Sequence, residues 1–251
     1  MKVALSVFLL VFAANVSLAQ ESFLEKLKGY DLAQVIDPDS IGDDSLEKVE
    51  APESLGYIGN DYERFRIHFT SFKKDPKNPL LYNVKGKTRV KDNICTFAGT
   101  FTVVSAEFDN TLEDFMDTDY KGLGIVCDVV IYEDKLQKGS GIIRGTLITD
   151  AFFDNKNKLI YNALMLMSDG FRNNQFTGTW TSYKNGISKK CNWGDFRIPE
   201  SNDLDIGAGE FSVLEKYKNK GWESYYDAYC CDPDLPKTKA ARKKEEEKWW
   251  L

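Results

Sequence analysis

The side chains able to do chemistry in this chain are mostly acidic, and they gather between hydrophobic runs. Asp109, Glu113, Asp114, Asp117 and Asp119 place five carboxylates in one short connection, enough to gather Ca²⁺ or to form a lid. The connection lacks the alternating oxygen ligands and central glycine of a calcium loop, so a solvated acidic turn is expected. Asp154-Asn155-Lys156-Asn157-Lys158 starts like a cation loop and continues as a hairpin turn. The one histidine, His68, excludes multi-histidine metal sites and leaves a histidine-driven nucleophile relay only through itself. No Gly-x-Ser-x-Gly elbow, phosphate loop or dinucleotide fingerprint occurs. Abundant Asp and Glu keep a carboxylate-pair hydrolase open. No catalytic residue, metal ligand or cofactor is assigned.

Three further groups draw notice. Asp128, Arg144 and His68 interrupt apolar runs, and a solvent-facing position is favoured for the first two because unpaired buried charge is costly. The segment from Lys190 to Pro199 is dense in Trp, Asn, Asp and Arg and could shape a barrel mouth or simply form the last strand. Cys95 and Cys127 sit among apolar neighbours, where a thiol acts as a small hydrophobe. Cys191, Cys230 and Cys231 lie in more polar settings, and a bridge from Cys191 to one of the adjacent pair is the expected pairing in an oxidising compartment.

The elements that must position these groups are strands. Asn174 to Tyr183 alternates strictly, with Phe176, Gly178, Trp180 and Ser182 on one side and threonines on the other. Phe97-Ala98-Gly99-Thr100-Phe101 and Ile143-Arg144-Gly145-Thr146-Leu147 repeat its Gly-Thr centre. Strands are expected near 63–73, 80–90, 94–107, 123–133, 141–153, 159–168, 174–184 and 190–198, separated by turns rich in Asn, Asp, Gly and Pro. Connections this short force antiparallel pairing. The expected fold is therefore mainly β: an antiparallel up-and-down barrel of about eight strands, with N- and C-terminal helices packed outside.

The expected organisation is a signal peptide at 1–19, an N-terminal helix and acidic linker at 20–61, a barrel at 62–199, a covering helix segment at 200–232 and a charged tail at 233–251. Ser22-Phe23-Leu24-Glu25 and Ser212-Val213-Leu214-Glu215 both have capping-box spacing. The strands at 141–153 and 159–168 are apolar on both faces, so the aromatic C-terminal segment is expected to cover them. Lys237 to Lys248 reads as a solvated helix or frayed tail, and Trp249-Trp250 suggests docking onto the domain or a partner.

Phe176-Thr177-Gly178-Thr179-Trp180-Thr181 resembles the Gly-x-Trp strands of the calycins, the lipocalin and avidin group of ligand-binding barrels. In those families the strand lies near the start of the barrel, whereas here it is next to last. The resemblance implies the architecture, with Trp180 as an interior residue, and no particular ligand. Small and large residues alternating on one face suit a tapered interior. A small, largely apolar ligand is accordingly expected against Phe97, Phe101, Leu147, Met165, Trp180 and Trp193.

Lys2, the apolar run from Val3 to Ala14 and Ser17-Leu18-Ala19 read as a secretory signal with cleavage near Ala19, giving a secreted or periplasmic protein. Cleavage removes one lysine and no acid, so the formal charge of −6 becomes −7. An acidic surface repels phosphate backbones, which argues against nucleic acid as partner. The apolar run is also too short to span a bilayer. The expected function is a non-enzymatic binder of a small, largely apolar ligand; the alternatives are an envelope or extracellular protein-interaction module with a solid barrel, acting through outer aromatics or Trp249-Trp250, and a carboxylate-based hydrolase.

Overall fold

The protein is described here by a computed structural model covering residues 23–42, 47–109 and 119–251. Two short strands, β1 (Ser40–Gly42) and β2 (Lys48–Glu50), make a separate ribbon in the acidic linker. The main sheet then runs through β3 (Leu55–Ile58), β4 (Glu63–Lys74), β5 (Leu81–Val90), β6 (Asn93–Asp109), β7 (Lys121–Glu133) and β8 (Gly141–Phe153), each antiparallel to the last. Closure comes through β10 (Asn173–Ser182) and β11 (Ser188–Asp195): β8 pairs with β10, β10 with β11, and β11 with β3. The result is a closed eight-strand antiparallel barrel, which leaves no free edge around the ring.

The eight strands are not quite the expected set. The barrel begins at Leu55 rather than Tyr62, because β3 fills the gap between β4 and β11 and supplies the backbone groups that both need. The run expected as a strand over 159–168 contributes only β9 (Leu159–Tyr161), which extends the far end of β8 and lies outside the ring. Beyond it the backbone turns, with Leu166 N bonded to Ala163 O and Ser168 N to Met165 O. Leu159, Tyr161, Ala163 and Leu164 are buried, while Met167 is exposed. Apolar content here serves a packed turn.

The alternation reads out as expected. Phe176 points into the barrel and stacks on Trp193, ring centres 3.6 Å apart. Gly145 and Gly178 face each other across β8 and β10, and a Cβ on either would lie about 2.6 Å or less from Phe176 Cζ. Only glycine at both positions lets that ring cross the interior. Asp128 and Arg144 are exposed on the outer face. Cys95 and Cys127 are buried core residues, and burial pushes the Cys127 thiol up to about 12.

The barrel ends differ. One carries the short turns at 59–62, 91–92, 134–140 and 183–187. The other is closed by the N-terminal segment, helical at 23–27 and again in α1 (Ala33–Ile36). Phe23, Leu27, Leu32, Val35, Ile36 and Ile41 join the barrel core from this stopper. Lys74 Nζ holds it by donating to the carbonyls of Lys28 and Tyr30, at 2.7 and 2.6 Å. Ser22, the first residue of the expected capping box, lies outside the described residues.

The C-terminal segment forms a 3₁₀ turn at Glu215–Lys220, α2 (Glu223–Tyr229) and α3 (Pro236–Glu245). It covers the outside of β3 and β4, not the strand at 141–153, whose Ile148 remains half exposed. The cover lands there because Tyr57, Ile198, Leu204, Phe211, Val213 and Trp222 make a second apolar cluster, and Trp222 Nε1 donates to Tyr62 O at 2.8 Å. Ser212 caps nothing; Leu214 precedes the 3₁₀ turn without a side-chain cap. The charged run is a docked helix. Arg64 grips Glu245 in a fork (2.9 and 2.5 Å), Arg66 adds a 3.3 Å contact, and Trp250 stacks on His68 at 3.8 Å.

The expected bridge from Cys191 does not form. Cys191 is buried within β11, inside the barrel, whereas Cys230 and Cys231 lie outside at the end of α2 and pair with each other. The barrel wall separates the two thiol settings.

Candidate functional site

At the end bearing the short turns, the interior opens into a cup of about 490 Å³. Ile58, Phe65, Val90 and Trp180 wall it, each on an inward position of its strand. In its floor lies Glu133, the last residue of β7 and only 5 % exposed. Strand phase puts it there: Cys127, Val129, Ile131 and Glu133 alternate on the same inward face. Its Oε2 accepts from Trp180 Nε1 at 2.8 Å and from Gly141 N at 2.7 Å, and Thr88 Oγ1 bonds to Oε1. Gly141 is required by the close approach, since a Cβ there would lie 2.6 Å from Trp180 Cε2.

Among the described residues no lysine, arginine or histidine forms an ion pair with Glu133. Lys189, on the same rim, turns to Glu63 at 3.9 Å, and Lys91 also pairs with Glu63. The nearby thiols are held neutral: burial, helped by Glu133, pushes Cys95 up to about 11 and Cys191 well above the ordinary thiol range. Both are poor nucleophiles in that state.

The six residues expected to line a ligand divide. Trp180 stands in the cup wall. Phe97, Phe101, Leu147 and Trp193 are 5 % exposed or less and fill the waist of the barrel. Phe69 sets its ring edge-on to both Phe97 and Phe101, and the Phe176–Trp193 stack closes the remaining width. Met165 sits in the turn after β9, outside the ring, because that segment leaves the sheet at Tyr161. Glu133 was not singled out from the sequence, although an acid in phase with Cys127, Val129 and Ile131 is the signal that marks it.

The stoppered end also buries a carboxylate. Asp195, 6 % exposed, accepts from Ser54 Oγ (2.8 Å), Asn174 Nδ2 (2.7 Å) and Tyr161 OH (3.1 Å). Burial pushes it up to about 7; those three donors pull it down, and Asp37 adds a small upward push. Asn174 also donates to the carbonyls of Val35 and Ile36, at 3.3 and 3.1 Å, so the same side chain clamps the stopper. The segment from Lys190 to Pro199 therefore ends at the closed end of the barrel. Its Asn192 ties β11 to Tyr57 OH and Pro199 O, and its Arg197 is satisfied by Asp205 and the carbonyls of Gly207 and Gly209.

A second hollow, about 530 Å³, runs outside the barrel beneath α2 and α3, with Phe171, Phe211, Tyr225 and Trp249 in its walls. Its arginines are matched internally, Arg64 and Arg66 by Glu245 and Arg197 by Asp205. Burial works to raise Glu245, but Arg64 and Arg66 outweigh it and hold the carboxyl low, while burial brings Arg66 down to about 10. It is the seam between cover and barrel. His68 faces this outer side and pairs with Glu53 at 3.0 Å, so it stands apart from any nucleophile. Asp154 Oδ1 accepts from Lys156 N and Lys158 N at 2.8 Å, which makes that loop a hairpin turn. The acidic connection's residues 110–118 lie outside the described residues. Among the described residues no three His, Cys, Asp or Glu side chains gather as metal ligands, and no helix is long and apolar enough to cross a membrane.

Fold and site together define a closed, mainly β barrel with a solid waist, one stoppered end and one open cup lined by both apolar and charged side chains. No family model, curated protein or solved structure matches the chain.

Proposed function

We propose that the protein is an exported, non-enzymatic binder that holds a small, largely apolar ligand in the cup, as calycin-like barrels do. The observation carrying this reading is the cup itself: about 490 Å³, within the range of small-molecule sites, walled by Ile58, Phe65, Val90 and Trp180. Strands on all sides make it a preformed site, so little ordering cost accompanies binding. The outer hollow is larger, but it is a seam between the cover, the linker and the outside of the barrel, and its arginines are already paired. Export rests on the segment from Lys2 to Ala19.

The test is a titration of the purified chain with an apolar fluorophore, followed by tryptophan quenching. Saturable 1:1 binding is expected, and Val90→Trp, which fills the cup from its wall, should abolish it. Binding unchanged in Val90→Trp, or absent from the wild type, sinks the proposal. The interaction-module reading, which calls for a solid barrel, has two favourable observations: the filled waist, and the half-buried Trp249 beside the outer hollow. Unchanged assembly after deletion of the residues following Asp232 would remove it.

A further inference from the structure

We propose that the ligand of the cup is an organic ammonium ion: an apolar or aromatic body bearing a protonated amine that pairs with Glu133. This rests on the cup being the ligand site and names the chemistry that the site selects. Glu133 is a carboxylate buried to 5 % exposure whose contacts are all neutral donors: Trp180 Nε1, Gly141 N and Thr88 Oγ1. Burial of a carboxylate without a cation is costly, and neutral hydrogen bonds offset only part of that cost. Oε1 accepts a single bond, from Thr88 Oγ1, while a carboxylate oxygen has room for two, and Glu133 is among the residues that line the cup.

The surroundings favour a cation over other ligands. Trp180 directs its indole N–H, on the ring edge, at Oε2, which leaves Oε1 as the oxygen for a second, charged donor. An anionic ligand would meet Glu133, which unlike Glu63 at the rim has no lysine paired to it. The chain's formal charge of −6 draws cations toward it at long range. The rival internal partner is Lys138, which lines the cup from the β7–β8 loop and could swing inward.

Three probes of one shape decide the matter by calorimetry on the full chain: 2-phenylethylamine, 2-phenylethanol and 3-phenylpropanoate. The amine is expected to bind at least about 10-fold tighter than the alcohol, the increment of a charge-assisted hydrogen bond, and the carboxylate not at all. Glu133→Gln should weaken the amine at least about 10-fold and narrow its advantage over the alcohol; Lys138→Met should leave the amine equal or tighter. If Glu133→Gln fails to fold, the wild type still answers, because amine affinity must fall as pH rises toward the amine's own pKa near about 10 while alcohol affinity stays flat. Equal binding of amine and alcohol overturns the ammonium proposal and leaves the cup reading standing. Failure of both to bind, with the apolar fluorophore also excluded, overturns the two together.

Discussion

The two ends of the barrel each bury a carboxylate, and they treat it in opposite ways. At the stoppered end Asp195 is enclosed by Ser54, Asn174 and Tyr161 beneath the N-terminal segment, beside a hollow of only about 50 Å³. At the other end Glu133 meets three neutral donors but borders about 490 Å³ of open cup. A carboxylate enclosed by fixed donors fastens two segments together, whereas one left facing a space can recognise whatever enters. The waist between them, built on the Phe176–Trp193 stack, keeps the two environments apart.

The contrast can be broken at several points. The largest effect is expected at the divide: Phe176→Ala removes the ring that crosses the waist and should cost about 3–5 kcal/mol, read from urea denaturation. A loss below about 1 kcal/mol would mean the waist is not solid. Next comes Asn174→Ala, which strips a donor from Asp195 and releases the stopper; about 2–3 kcal/mol is expected by the same measurement.

The pH dependence of stability sharpens the same end. The folded-state value of Asp195, about 7, lies above its ordinary 3.8, so the folded protein holds a proton that the unfolded chain has released in between. Stability from this group is complete below about pH 4, declines as pH rises through 7 and levels off beyond. The drop from pH 5 to pH 8 should be on the order of 2 kcal/mol from this group, and Asp195→Asn should remove that share. A smaller fall between about pH 4 and 6 should remain from Asp37, which burial pushes up to about 6. A variant profile identical to the wild type would remove Asp195 as the cause.

The smallest effect is expected at the cup. Glu133→Gln should cost about 1 kcal/mol or less in stability, since the glutamine amide oxygen can still accept from Trp180 Nε1 and Gly141 N. A loss as large as that of Asn174→Ala would make Glu133 a fastening like Asp195 and erase the difference between the ends.

Much of the wall was legible from pattern alone. The alternation through Phe176, Gly178 and Trp180 assigns the inward face, and Arg144 and Asp128 fall outside as unpaired charges should. The Leu159–Met167 run misled because continuous apolar content suits a packed turn as well as a strand, and length alone does not decide between them. The cover misled for a related reason: an aromatic helix shows that it needs an apolar surface without saying which. The match of Tyr57 with Trp222, over 160 positions apart in the chain, decides it.

By itself, then, the sequence determined what is local: strand faces, turn positions and the glycines that admit a large neighbour, because these follow from the two-residue period of an extended chain. Tertiary structure decided closure through β3, the filling of the waist and the open cup at one end. Those depend on how side chains from distant strands share one interior volume, and neither volume nor its vacancy is written in any single segment.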